Sequence, residues 1–478
     1  MTDTLDLAHH VGGADVPAPA VLEQCNPAAP DDLVVRTPEA DLGLVQEAVS
    51  AARRALSPLD RAGVEARADT LASIARALAA QADDLALLVT RETGKTLTDA
   101  KGEVLRSARI FEFFAGETIR NVGERFASTR PGAMVEVERA PVGVVAAVTP
   151  WNFPMAIPAW KIAPALAFGD TVVWKPSELS SATAAALMRL IAASGLPAGA
   201  VNMVLGGGST GAALSAAPGV DAITFTGSGA AGAAVRREAM ERGVRVQLEM
   251  GGVNGLIVMD DADLDNAVDC ALNGAFFAAG QRCTATSRII VHEAIAERFT
   301  AALSARAQAL PIGDPRDPKT VIGPLIAPRH KARVAEQVRV IENAISPRFG
   351  GSAVELPFAF YPPTLFCDAD PKGPLGQEEI FGPVAGVFQT PDLDAALALL
   401  NGVPYGLSAG ICTRSLASTE AFKRSAQAGM LMINLPTAGV DYHAPFGGLG
   451  ASSYGPREQG RAAREFYTVM RTAYQKPL

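Results

Sequence analysis

Cys283 is a candidate nucleophile. It lies in Gly280-Gln281-Arg282-Cys283-Thr284-Ala285, after an apolar run in which Ala271, Ala275, Phe276 and Ala279 recur at helical spacing until Gly280 interrupts. A thiol just past a helix break, beside a cation, can be exposed and have its pKa lowered, and the thiolate is the reactive form. A small buried hydrophobe is the other role open to an unpaired cysteine. Glu249, in Gln247-Leu248-Glu249-Met250-Gly251-Gly252, ends an expected strand on approachable backbone. It could act as a general base for water, or be an exposed loop-edge glutamate. In Thr149-Pro150-Trp151-Asn152-Phe153-Pro154 two prolines hold the turn and can aim Asn152 into a cleft. An amide there can donate to a developing oxyanion, or merely bond its own backbone.

A second group of residues suits a nucleotide. Trp174-Lys175-Pro176-Ser177-Glu178 follows a strand, where a charged pair can meet a ribose or phosphate. A carboxylate that accepts from both ribose hydroxyls favours NAD over NADP; a solvated turn is equally open. Gly206–Gly211 matches GxGxxG, but the chain has 45 glycines and no clean acid about 20 residues on. Gly227 and Gly232 open a helix after Phe225, where bare amides can approach a pyrophosphate or simply allow tight packing.

These residues need elements to hold them. From Val142 short apolar strands alternate with helices: 142–148, 171–174, 201–204, 222–225 and 244–248, with a helix over 182–193. A second such series follows, with strands 256–259, 287–291, 406–412 and 430–434 and helices 264–279 and 294–309. This predicts two parallel-sheet α/β domains with ligands at the strands' carboxyl ends. Before them, 41–120 reads as helices, with apolar stripes at Leu71, Ile74, Ala75, Leu78 and at Ala100, Val104, Ala108, Phe111. Residues 1–40 read as an irregular surface wrap, with His9-His10 solvated. The alternation in Met134–Arg139, after the turn Pro131-Gly132, predicts an antiparallel strand: an edge hairpin, or an arm pairing with another subunit or the chain's own C-terminus.

Composition bounds the classes. The chain has 478 residues, 49% hydrophobic and 19% charged, with net charge −8. That describes a globular protein and argues against a nucleic-acid or anionic-membrane surface. No long apolar run or signal peptide is read, and five scattered cysteines suggest neither disulfides nor a metal site, so a cytoplasmic protein is expected.

The motifs then fall in one recognisable order: TPWNFP at 149–154, KPSE at 175–178, FTGS at 225–228, LEMGG at 248–252, GQRC at 280–283, EEIFGP at 378–383 and PFGG at 445–448. In this the chain resembles the aldehyde dehydrogenase superfamily from about Asn26 to Tyr474. Within it, the segments 156–164, 434–443, 452–460 and 465–468 are similar to α-ketoglutaric semialdehyde (2,5-dioxopentanoate) dehydrogenases. The resemblance implies Cys283 as nucleophile, Glu249 as base and Asn152 as oxyanion donor. It implies NAD, with NADP possible, bound by Thr149, Pro150, Trp151, Lys175, Ser177, Glu178, Gly208, Phe225, Gly227, Ser228, Glu379 and Phe381. A small aldehyde would meet Phe153, Trp160 and Phe446, with Arg282 the candidate for its carboxylate. It implies a cofactor domain over 1–125 and 142–252, a catalytic domain over 253–445, and oligomerisation arms at 126–141 and 464–478 of a homodimer or homotetramer. Gly251-Gly252-Val253-Asn254-Gly255 departs from the family's pattern, lacking its Lys and Pro. A dehydrogenase for another semialdehyde such as succinic semialdehyde, a CoA-acylating enzyme and a non-catalytic relative are the rival readings.

Overall fold

Short apolar runs bounded by turn residues form the sheets, and longer runs at helical spacing cover them. The computed structural model describes residues 3–120 and 123–477. Met1, Thr2, Asn121, Val122 and Leu478, which fall in the ranges expected for the cofactor domain and arm, lie outside the described residues.

The first sheet has five parallel strands in the order Arg245–Glu249, Ala222–Thr226, Val144–Val148, Thr171–Lys175 and Val201–Met203. The expected strands are all present, shifted by a residue or two at their ends. Antiparallel additions close both edges: Ser453–Tyr454 beside Arg245–Glu249, and His9–Val11 followed by Ala14–Val16 beside Val201–Met203. The second sheet is wholly parallel, ordered Thr364–Cys367, Val384–Thr390, Thr286–His292, Asn254–Val258, Ser408–Cys412 and Met430–Ile433. Buried aliphatic strands such as Val144–Val148 and Asn254–Val258 are what two helix-covered faces require.

The first forty residues differ from expectation. Leu5–Asp6, His9–Val11, Ala14–Val16, Ala20–Asn26 and Ala29–Pro38 are strands. Their Pro- and Asp-rich composition reads as loop, but pairing with distant partners overrides weak local preference. His9 is fully buried, its Nδ1 accepting from the Leu205 N–H at 3.0 Å, so it is not a solvated tail residue.

Helices Leu42–Ala80, Ala82–Thr93 and Leu97–Thr118 pack over this sheet. Asp41 and Thr96 cap the first and third, and Gly94 ends the second in the left-handed conformation. Both apolar stripes face the core. A three-stranded antiparallel sheet places Met134–Pro141 between Glu124–Ala127 and the C-terminal Thr468–Gln475, so this hairpin pairs with the chain's own terminus.

Candidate active site

The helix Leu264–Phe276 stops earlier than its apolar spacing predicts. Ala278 (φ 55°) and Ala279 (φ 52°) then take left-handed backbone, which costs non-glycine residues about 1–3 kcal/mol each. Gly280 is required: a Cβ there would lie 2.1 Å from the Gly382 carbonyl oxygen. This strained turn lifts Cys283 off the helix and into the wall of a cleft. The Cys283 carbonyl is held by Asn254 Nδ2 at 2.8 Å, and Asn254 also reaches the Ala285 carbonyl and accepts from the Ser408 N–H. Gln281 anchors the turn from the other side, accepting from the Ile326 N–H at 2.9 Å.

Cys283 and Asn152 line one cavity of about 180 Å³, together with Pro150, Trp151, Gly227, Ser228, Glu379 and Phe381. Trp151 and Phe381 meet edge to face at 5.6 Å, and His330 packs on the same indole. Asn152 Nδ2 donates to the Gln281 carbonyl at 3.1 Å, leaving its second N–H for another acceptor. Part of Cys283 is accessible from the cavity, yet burial pushes its thiol up to about 12, with Glu379 and Glu249 adding to the shift. This is opposite to the lowered value that a neighbouring cation suggests, because Arg282 turns its guanidinium to Asn273 Oδ1 and the Asn273 carbonyl. Burial also raises the Glu379 carboxyl to about 7, against a hydrogen bond from the Gly252 N–H. Gly251 admits this carboxylate: a Cβ would lie 2.0 Å from Glu379 Oε2.

Glu249 is 2% exposed, not a loop-edge residue. Ser453 Oγ donates to its Oε2 at 2.6 Å, and behind it Lys161 and Glu458 form an ion pair with no solvent access. Burial, then the charge of Glu458, raises the Glu249 carboxyl well above its ordinary value; Ser453, Lys161 and Arg457 oppose this.

Lys175, Ser177 and Glu178 form a separate cluster at the end of Thr171–Lys175, outside the cavity of Cys283. Lys175 Nζ is 3.8 Å from Glu178, which also faces Arg329 at 3.3 Å. Burial lowers the Lys175 ammonium and the charges of Glu178 and Glu39 partly restore it. Gly208 opens the neighbouring helix Gly208–Ala216, whose Gly211 lies beside Lys175. Thr149 and Phe225 back the site: the Thr149 hydroxyl accepts from Trp174 Nε1, and the Phe225 ring lies under Gly227. Trp160 stacks on Phe446 at 5.4 Å, and Phe446 belongs to the apolar group on which Cys283 packs. Phe153 lies under Lys95 Nζ at 4.0 Å. Asn254, Ser453, Lys161, Glu458, His330 and Arg333 are the residues that sequence reasoning missed. Asn254 lies within the glycine motif, and Lys161, Ser453 and Glu458 lie within the segments 156–164 and 452–460 that carried the resemblance; His330 and Arg333 had no local signal.

A twin parallel-sheet fold with a thiol, an amide and a carboxyl around one cavity and a buried glutamate at the end of a neighbouring strand defines a class, and comparison with known proteins agrees. A profile of the aldehyde dehydrogenase family matches residues 16–473, and the chain belongs to that family: it is an aldehyde-oxidising oxidoreductase. The chain is 39% identical over 458 residues to α-ketoglutaric semialdehyde dehydrogenase of Bacillus subtilis, covering 95% of this chain and 94% of that protein. It is 37% identical to α-ketoglutarate semialdehyde dehydrogenase of Haloferax volcanii, covering 95% of each. The crystal structure of NAD-dependent aldehyde dehydrogenase from Sinorhizobium meliloti superposes with TM-score 0.96 at 32% identity, covering 99% of this chain and 95% of that one.

Proposed function

We propose that the enzyme oxidises α-ketoglutaric semialdehyde (2,5-dioxopentanoate) to 2-oxoglutarate with NAD, through a thioester on Cys283. The observation that carries this is the shared cavity of Cys283, Asn152, Glu379 and the Trp151–Phe381 pair. Relatives named for this substrate support the choice of aldehyde.

The residues fit a dinucleotide. Gly227 and Ser228 bring the start of helix Gly229–Arg242 to the cavity, and Arg333 adds a cation to its lining. Glu379, Phe381, Trp151 and Pro150 would hold the nicotinamide end. Lys175, Ser177, Glu178 and Gly208 would hold the adenosine end, with Thr149 and Phe225 supporting. When bound, the cofactor supplies the hydride acceptor. Cys283 gives its thiol proton to the Glu249 carboxylate, which releases it to solvent before the second step, and the sulfur attacks the aldehyde carbon. The Asn152 amide with the Cys283 N–H stabilises the oxyanion; one such donor is worth about 3–4 kcal/mol of barrier. Hydride leaves the carbon and a thioester remains. Glu249 takes the proton of the water that cleaves it, and Lys161–Glu458 stands next in line behind that carboxyl. A carboxylate base at this position favours hydrolysis over transfer to CoA. Phe153, Trp160 and Phe446 would wall the aldehyde, and Arg282 would stiffen the nucleophile's turn through Asn273.

We read 1–125 with 142–252 as the cofactor domain and 253–445 as the catalytic domain. The three-stranded sheet would be an assembly arm of a homodimer or homotetramer, since it exposes Phe126, Met470 and Tyr474.

Initial rates at 340 nm with 2,5-dioxopentanoate, succinic semialdehyde and glutaraldehyde, each with NAD and NADP, test the reading. The highest kcat/KM is expected for 2,5-dioxopentanoate with NAD, releasing free acid. A preference for the neutral dialdehyde would overturn the substrate, and an acyl-CoA product the mechanism.

A further inference from the structure

A cavity of about 630 Å³ lies between helices Leu42–Ala80 and Leu97–Thr118 and the loop 440–442. Arg76, Arg106 and Arg109 line it, with Glu112 and Asp441 as its acids. Arg109 Nη1 is taken by Glu112 at 2.6 Å, which leaves two guanidinium groups against one carboxylate. Arg106 sits deepest. It donates one bond through Nη2 to the Val440 carbonyl, and among the described residues its buried Nε has no partner. A guanidinium held by one neutral carbonyl retains donors in a planar fork, the geometry that suits a carboxylate. Arg76 makes no ion pair among the described residues and stands at the rim.

The cavity is tied to the nucleophile. The carbonyl of Val440 holds Arg106, and its side chain packs on the same Leu407–Met430–Phe446 group as Cys283. Val440 thus lines the arginine-lined space and packs on the apolar group that walls the thiol. Arg282, the nearer cation in sequence, directs its donors to Asn273 instead.

We propose that this cavity receives the carboxylate end of the substrate and that Arg106 is the specificity-determining group. The proposal rests on the reading of the substrate as a carboxylated semialdehyde, and the test separates the two.

The probe is glutarate, a dicarboxylate with no aldehyde, added to enzyme loaded with NAD and followed by thermal shift and by competition against 2,5-dioxopentanoate. Wild-type enzyme should bind it. Arg106→Met should weaken glutarate binding roughly ten- to a hundredfold, the value of a charge-assisted pair. It should lower the ratio of kcat/KM for 2,5-dioxopentanoate over pentanal by a similar factor, mainly through KM. Arg106→Lys, which keeps the charge without the fork, should give an intermediate loss and serves if the Met variant does not fold. Undiminished glutarate affinity in both variants, or none in wild type, would overturn the site. If glutarate binding depends on Arg106 but wild type prefers neutral aldehydes, the anion site stands and the substrate reading falls. If the semialdehyde preference survives in the Arg106 variants, the substrate reading stands and the site falls.

Discussion

Glu39 and Glu249 each accept a hydrogen bond from a serine hydroxyl, Ser209 in one case and Ser453 in the other. Glu39 is exposed beside the glycine-rich turn, where the Ser209 hydroxyl and the Gly207 N–H hold its carboxyl below the ordinary value. Glu249 is buried, and desolvation with the charge of Glu458 drives its carboxyl far upward despite Ser453. The same bond gives opposite results because water solvates one anion and not the other. The edge of the first sheet therefore keeps fixed charges suited to holding a polar nucleotide. The buried centre holds a carboxyl that keeps its proton to higher pH.

If that contrast is correct, removing groups from the buried centre should cost far more than removing them from the edge. Cys283→Ala should give the largest effect, lowering steady oxidation about a thousandfold or more while fluorescence titration still detects NAD binding. Near-normal turnover would remove Cys283 as nucleophile. Glu249→Gln should follow, slowing steady turnover roughly 10²- to 10⁴-fold while stopped-flow shows one equivalent of NADH formed in a burst. An unchanged steady rate would place the base elsewhere.

The pH profile sharpens the contrast. A raised carboxyl pKa means that Glu249 is protonated, and no base, below that value; turnover should rise with pH through it and fall as pH drops. Glu458→Gln removes the like charge that helps raise it, so the acid limb should move to lower pH. The limb's position is the quantity to read, because the variant also leaves Lys161 buried without its partner. A limb that stays in place would mean that Glu458 does not act on the base. The smallest effect is expected at the edge. Glu178→Gln should raise KM for NAD about tenfold or less and narrow the preference over NADP, measured from parallel titrations. A loss as large as that of Glu249→Gln would break the comparison.

Much of this was legible along the chain. The five parallel strands of the first sheet, four of the six in the second, the interruption before Cys283 and the strand-end positions of Glu249, Asn152 and Lys175 follow from local pattern, because a buried parallel strand needs a continuous apolar run and a ligand site needs a loop after it; Thr364–Cys367 and Val384–Thr390 were not read from it. The N-terminal strands were not legible, since their stability comes from partners far along the sequence. Nor was the end of the helix at Phe276, where left-handed residues are imposed by the loop that meets Gly280. Ser453 lies 204 residues beyond the carboxylate it bonds, and Glu458 lies 297 residues beyond Lys161. No spacing rule links such pairs.

The order of residues by itself determined the family, the two parallel sheets and the chemical types at their ends, all of which depend on local periodicity and short motifs. Tertiary structure decided which carboxylate loses its water, that the thiol is pushed up instead of down, and which arginine keeps donors free. Those properties depend on burial and on distances between segments that meet only in the folded chain.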